Sequence, residues 1–262
     1  MERPLRVFLL VFPSSLFMPS VVEHVAICGR FEVVGVGGVA ARKRGSARGW
    51  MREQIGYWGP WASAWIVGST IVRRLPSLLR FPRVFRRLSS LAETSAALEI
   101  PYAPVADVND PAFIAKLRDL EVDMLVSFQQ RIFKSALLAT PRVACLNVHT
   151  GILPGYRGSK PVFWMHARGE PEMGVTIHTM HENIDTGRIV VQRRWKRRSR
   201  SSVLENQLWS YRCAAHCIVE AVELVGRGMQ LEAADVPADS AYFKAPTKAD
   251  RDLALTNGTR LL

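Results

Sequence analysis

The feature that most constrains this chain is a strand–helix–strand alternation at its start. Leu5–Phe12 is a β-type apolar run ended by Pro13-Ser14-Ser15, as suits a strand buried on both faces. Residues 18–28 read as a helix and Phe31–Val39 as a second buried strand. Two such strands joined through a helix within roughly 35 residues form the βαβ unit of a parallel sheet. A basic start before an apolar run also resembles a secretion signal. Here the run is short, Pro13 interrupts it and no small-x-small cleavage site follows, so an opening buried strand is expected.

The rest of the chain continues the α/β pattern. A short strand is expected at Ile100–Val105. Asp110 before Pro111 marks a helix start, with the helix running over Ala112–Leu120. Strands are expected at Val122–Phe128 and Val143–Val148, the latter ending on the pair Asn147 and His149. Gly174–Met180 and Arg188–Arg194 read as two further strands, joined by the turn that carries Asp185. A helix over about Val203–Val225 closes the pattern, and there are no internal repeats. The fold class expected is α/β, with a mostly parallel central sheet flanked by helices. In such sheets ligands collect outside the carboxyl ends of the strands. Asn147, His149 and the segment Phe128–Phe133 sit at such ends, and the Asp185 loop can face the same crevice.

The net charge of +12 is concentrated in two places. Eleven Lys or Arg lie between Arg42 and Arg87 against Glu53 alone, and seven more lie between Arg188 and Arg200 with no acid. These stretches hold more than the whole net charge, so the remainder is mildly acidic. Patches of this kind attract phosphate on nucleic acid, anionic lipid or a nucleotide-linked substrate. Arg193–Arg198 reads either as a contact for an acceptor phosphate or as a solvated face. The four cysteines make no disulfide framework at this length. Cys213 and Cys217 share a helix face, but no second pair or histidine cluster completes a metal site. Buried reduced thiols and a cytoplasmic location are expected.

Asn147 offers an amide N–H to a carbonyl oxygen, and His149, two residues on, points to the same side of a strand. Asp185 is suited to orient the imidazole, hold it protonated or receive a proton from an amine. No Ser or Cys is placed as a nucleophile, so direct attack by a substrate amine is favoured over an acyl-enzyme. Taken singly, Asn-x-His is often a capping turn and Leu-Pro-Gly-x-x-Gly only a loop. Their occurrence together and in order carries the reading.

Asn147-Val-His149-Thr-Gly-Ile-Leu-Pro154-Gly-Tyr156-Arg157-Gly158, with Gly174-Val-Thr-Ile-His178 and Ile184-Asp185-Thr-Gly187, resembles the 10-formyltetrahydrofolate-dependent formyltransferases. The resemblance covers roughly residues 1–40 and 95–225. It implies a Rossmann-like catalytic domain over 1–225, with a basic, Trp-rich helical insertion at about 42–92 and a short docked tail over 226–262. It also implies that Asn147, His149 and Asp185 are catalytic, with 10-formyltetrahydrofolate as co-substrate and no metal. Phe128, Gln130, Arg131, Ile132, Phe133, Leu153 and Pro154 would receive the folate, and Tyr156, Arg157 and Gly158 the acceptor. Two departures stand out. The family usually has Ser where this chain has Gly151, which costs a supporting hydroxyl, and compact members lack the insertion.

The acceptor implied is a primary amine, foremost an amino sugar on a nucleotide or lipid carrier, with initiator tRNA as the alternative. About 37 residues follow Val225, where methionyl-tRNA formyltransferases carry a β-barrel, and the wording at Tyr156–Gly158 and Pro161–Trp164 leans towards sugar formyltransferases. A binding protein with a degenerate formyltransferase fold is a further alternative, which the intact Asn, His and Asp set disfavours. Four of the seven tryptophans lie between positions 50 and 65, beside arginines. A helix lying in a membrane interface has this composition, as does a face covering the protein's own core or a partner. Gln54–Val72 lacks charge, but Gly56, Gly59, Pro60 and Gly68 interrupt it, so a spanning helix is not expected. If the insertion touches the inner face of a membrane, the intact protein floats with anionic liposomes and a 45–90 deletion does not. Equal failure of both to float ends the idea.

Overall fold

A computed structural model of the chain describes residues 3–12, 17–39, 55, 58–60, 63–64, 68, 90–129, 131–231, 236–237 and 240–262. The expected insertion at 42–92 falls almost wholly outside the described residues. Seven strands form one sheet: β1 (Arg6–Val11), β2 (Glu32–Val39), β3 (Tyr102–Val105), β4 (Met124–Phe128), β5 (Ala144–His149), β7 (Glu172–Thr179) and β8 (Ile189–Lys196). Their spatial order is β3-β2-β1-β4-β5-β7-β8. The first five are parallel, while β7 and β8 run antiparallel. The α/β class is thus met by a mostly parallel sheet with an antiparallel hairpin at one edge.

Strand alternation builds two core layers. On β1, Val7, Leu9 and Val11 face one layer, while Phe8 and Leu10 face the other. This two-sided burial is why the strand reads as an unbroken apolar run. The first layer is covered by α1 (Met18–Ala26), α2 (Leu91–Ala97) and the 24-residue α6 (Val203–Gly226). The second is covered by α3 (Pro111–Asp119) and the short α4 (Ser135–Leu138). Asp110 caps α3 through its side chain, with Pro111 in the first turn as expected. Ser202 and Glu205 form a capping box on α6, which contributes on the order of 1 kcal/mol.

The strand order reverses between β1 and β4, the switch point at which open α/β sheets bind ligands. On β5, Leu146 and Val148 point into the first layer, so Cys145, Asn147 and His149 share the opposite side. The same holds on β7, where Val175 and Ile177 enter that layer and Thr176 and His178 face the other way. The antiparallel register sets Asn147 opposite His178 and His149 opposite Thr176.

A third, smaller cluster was not legible in the sequence. It unites α5 (Pro161–Ala167), α7 (Lys248–Thr256) and the start of α6 through Val162, Phe163, Met165, Val203, Ala254 and Leu261. Beside it, β6 (Arg157–Gly158) pairs in parallel with β9 (Tyr242–Phe243). No helix among the described residues is long and apolar enough to cross a membrane.

His166, on α5, is buried in this region and its Nε2 accepts from Asn206 Nδ2 at 2.9 Å. Burial, reinforced by Arg197, pulls its pKa down from 6.5 to about 4. In the unfolded chain the ring protonates near 6.5, so between 6.5 and about 4 the unfolded state binds the extra proton. Stability from this residue is therefore complete above pH 6.5 and falls as the pH drops through that window. In His166→Gln the loss of thermal midpoint across this range should be shallower than in wild type. An identical pH dependence in the two proteins contradicts the assignment.

Candidate active site

Asp185 sits on the β7–β8 connection with φ of 52°, a left-handed conformation that costs a non-glycine residue about 1–2 kcal/mol. Its carboxylate is held from several sides. Gly158 N–H donates to Oδ2 at 2.8 Å and Asn147 Nδ2 donates to Oδ1 at 3.3 Å. His149 Nδ1 lies 3.5 Å from Oδ2, and His178 Nε2 lies 3.4 Å from Oδ1. Asp185, His149 and His178 are buried, while Asn147 and Gly158 are half-buried. Asn147, His149 and Asp185, 38 residues apart at the extremes, therefore meet in one cluster.

Proton positions follow from the partners. His178 Nδ1 donates to the Thr179 carbonyl at 2.8 Å, leaving Nε2 to accept from Asn147 Nδ2 at 3.1 Å. His149 Nε2 donates to the Tyr156 carbonyl at 2.6 Å. In a neutral His149 the lone pair is then on Nδ1, facing Asp185. At 3.5 Å this contact is electrostatic and longer than a formed hydrogen bond. Burial lowers the pKa of His149, an effect that Asp185 opposes and His178 assists. Burial pushes the Asp185 carboxyl up, but the two histidines and the Gly158 N–H outweigh it and hold it well below the usual carboxylate range. The pair at neutral pH is an ionised carboxylate beside an uncharged imidazole, poised to take one proton.

Of the residues expected to receive a folate, Phe128 ends β4 buried, with its ring edge-on to Tyr211. Gln130 lies outside the described residues. Arg131 is half-buried, and both its N–H and its carbonyl are engaged by the amide of Gln129. Ile132 is 64% exposed, whereas Phe133 points into the second core layer. Leu153 is buried, with its N–H on Thr176 Oγ1 and its carbonyl on Gln192 Nε2, and Pro154 is exposed.

The expected acceptor residues lie against the cluster itself. Tyr156 is buried, stacks on Phe243 and hydrogen bonds Glu170 through its hydroxyl. Arg157 is buried, with donors on the carbonyls of Ile184, Pro237 and Ser240. Gly158 has φ of 99°, and a Cβ there would lie 2.2 Å from the Phe243 carbonyl oxygen, so only glycine permits the β6–β9 approach. At Gly151 a Cβ would sit 2.6 Å from Pro161 Cβ and 2.8 Å from His149 Nε2. That packing leaves no room for a side chain at position 151, and His149 Nε2 is bonded to the Tyr156 carbonyl.

Three of the five basic residues in Arg193–Arg198 are engaged. Arg193 pairs with Glu220, Arg194 meets Gln192 and Glu172, and Arg197 Nε donates to the Glu170 carbonyl. Sequence reasoning quoted His178 within a motif but gave it no role; its register opposite Asn147 is what brings it in. Among the described residues no group of three or more His, Cys, Asp or Glu is arranged to hold a metal ion.

Residues 88–202 match the formyl transferase family model. Over 106 residues, 40% of this chain, it is 36% identical to a methionyl-tRNA formyltransferase from Chlorobium chlorochromatii (strain CaD3), covering 34% of that protein. The chain spans less than half the length of the curated relatives it matches. Its fold is similar to that of glycinamide ribonucleotide transformylase 1 from Symbiobacterium toebii, with a TM-score of 0.60 and 15% identity over 87% of this chain and 90% of that one. It is also similar to a sugar N-formyltransferase from Shewanella sp FDAARGOS_354, with a TM-score of 0.58 and 15% identity over 96% of this chain and 86% of that one. The fold is thus the Rossmann-like fold of formyltransferases.

The charge state assigned to the cluster is open to direct measurement. In an NMR titration of the histidine Cε1–H signals, with His149 assigned by its absence in His149→Gln, its midpoint should fall below 6.5. A midpoint above that value contradicts the uncharged imidazole.

Proposed function

We propose that the protein transfers a formyl group from 10-formyltetrahydrofolate to a primary amine, with an amino sugar on a nucleotide or lipid carrier as acceptor. The observation that carries this reading is the convergence of Asn147, His149 and Asp185 at the end of β5, with one ionised carboxylate and one uncharged imidazole. An unprotonated amine attacks the formyl carbon, a C–N bond forms and the carbonyl electron pair moves to oxygen. Asn147 is suited to hold that oxyanion, and His149 joins it once Nδ1 carries the proton taken from the amine; each such donor is worth roughly 3 kcal/mol. To do so the Asn147 amide must exchange Asp185 for the acyl oxygen, a tightening common when substrate enters a free site. Asp185 and His149 Nδ1 take the proton leaving the amine. Collapse of the oxyanion then breaks the bond to N10, and N10 regains a proton to give tetrahydrofolate.

The segment after β4 fits the folate in one respect. The Gln129 amide engages both backbone groups of Arg131, and the amide-like edge of a pterin offers the same donor and acceptor in its place. The wording of Tyr156–Gly158 and Pro161–Trp164 supports a sugar acceptor. A carrier bearing phosphate or lipid would also give the basic, Trp-rich stretch at 42–92 a role at an anionic surface. A second reading, initiator tRNA as acceptor, is favoured by the 36% identity to a methionyl-tRNA formyltransferase.

Purified protein mixed with 10-formyltetrahydrofolate and a panel of amines distinguishes these readings. The panel comprises a nucleotide-linked amino sugar, methionyl initiator tRNA and glycinamide ribonucleotide, and tetrahydrofolate release is followed. Release with the sugar alone is expected, and release with tRNA alone moves the assignment to the second reading. Neither folate binding nor release with any amine overturns formyl transfer. His149→Ala and Asp185→Ala should each lower turnover by roughly 10²–10³-fold with folding retained. Near-normal turnover removes that residue from the mechanism.

A further inference from the structure

Three consecutive residues of one short segment touch the reacting cluster. The Tyr156 carbonyl accepts from His149 Nε2, Arg157 donates twice to the Ile184 carbonyl next to Asp185, and Gly158 N–H donates to Asp185 itself. On its other side this segment is held by chain that lies eighty or more residues further on. The Arg157 guanidinium also donates to the Ser240 carbonyl at 3.2 Å, to Ser240 Oγ at 3.3 Å and to the Pro237 carbonyl at 3.3 Å. β6 pairs with β9, and Ser159 N–H donates to the Phe243 carbonyl at 2.8 Å. The Phe243 ring is stacked on Tyr156 at 5.3 Å, tilted against Trp164 at 5.3 Å and covered by the Arg168 guanidinium at 5.2 Å. Trp164 Nε1 donates to the Lys244 carbonyl at 3.0 Å.

We propose that Ser240–Lys244 is a working part of the active site, and that Arg157 is the positioning residue that joins it to the Asp185 loop. This rests on the reading of Asn147, His149 and Asp185 as the reacting groups. Asp185 occupies a left-handed backbone conformation that a free loop would leave, and such conformations persist only where the surroundings over-determine them. The Asp185 Oδ2 contact to Gly158 is set by the position of β6, and among the described residues β6 has only the two ladder residues of β9 as its strand partner. One guanidinium, bonded to Ile184 on one side and to Ser240 and Pro237 on the other, makes loop, β6 and tail a single unit. Its planar fork suits several carbonyls at once, which the point charge of lysine does not. Arg157 therefore acts on the loop that carries the carboxylate, and not as the acceptor contact that the sequence resemblance implies.

The test needs neither folate nor amine. Ring-nitrogen NMR at pH 7 on the full chain, labelled with 15N-histidine, follows His149 in wild type, Arg157→Ala, Phe243→Ala and Asp185→Asn. It also follows the two combinations with Asp185→Asn. If the latch holds Asp185 against His149, Arg157→Ala and Phe243→Ala move the His149 Nδ1 resonance in the same sense as Asp185→Asn. Neither then adds a further shift in the Asp185→Asn background, because the interaction they support is already gone. Arg157→Lys falls between wild type and Arg157→Ala. An unmoved His149 signal, or a shift that persists undiminished in the Asp185→Asn background, overturns the proposal. Should Arg157→Ala fail to fold, the Phe243→Ala pair decides it alone. Where transfer is measurable, Arg157→Ala should lower kcat by roughly 10²-fold with the folate KM unchanged. A closed NMR cycle without transfer to any amine keeps the latch and removes the formyl reading. Transfer with an additive cycle does the reverse.

Discussion

The Asp185 carboxylate is the point through which the site is held together. It is buried, it sits in a left-handed backbone conformation, and four groups from three strands converge on it. A buried charge without partners costs several kcal/mol, so the fold must bring those partners or protonate the acid. β5 supplies Asn147 and His149, β7 supplies His178 by register, and β6 supplies the Gly158 N–H. If the carboxylate were removed, the Gly158 N–H and the Asn147 amide would lose an acceptor, and two buried imidazoles the charge beside them.

That arrangement also sets the electrostatics. Burial alone would neutralise both partners, raising the acid and lowering the base. Here it succeeds only with the histidine, because the carboxylate is supported by a backbone N–H as well as by the rings. The outcome is a proton vacancy on His149 Nδ1 facing an anion that stabilises its filling. Such a pair suits a reaction in which an amine must lose a proton as it is acylated. The sheet places the pair beside its switch point, where open α/β sheets bind ligands.

Much of the frame is legible in the sequence because it rests on local rules. The two-sided burial of β1 appears as an apolar run, the start of α3 as Asp110-Pro111, and the shared side of Asn147 and His149 as a two-residue spacing. What was not legible depends on partners far along the chain. Nothing near Arg157 distinguishes a guanidinium spent on the carbonyls of residues 184, 237 and 240 from one offered to a substrate. The pairing of β6 with β9 involves two residues from each strand, too few to leave a pattern. The register that places His178 against Asn147 is likewise a tertiary fact, although the histidine stood in the quoted motif. α7 was missed despite a usable signal, Thr247 followed three residues on by Asp250, which the structure uses as a capping box.

The most direct measurement of the central claim is a crystal structure of the protein with a non-transferable 10-formyl folate analogue. The account predicts the formyl oxygen at about 2.7–3.1 Å from the Asn147 amide donor, with the formyl carbon facing His149 Nδ1 and Asp185. A folate seated elsewhere, or a formyl group with the Asn147, His149 and Asp185 side chains all beyond hydrogen-bond reach, would contradict it.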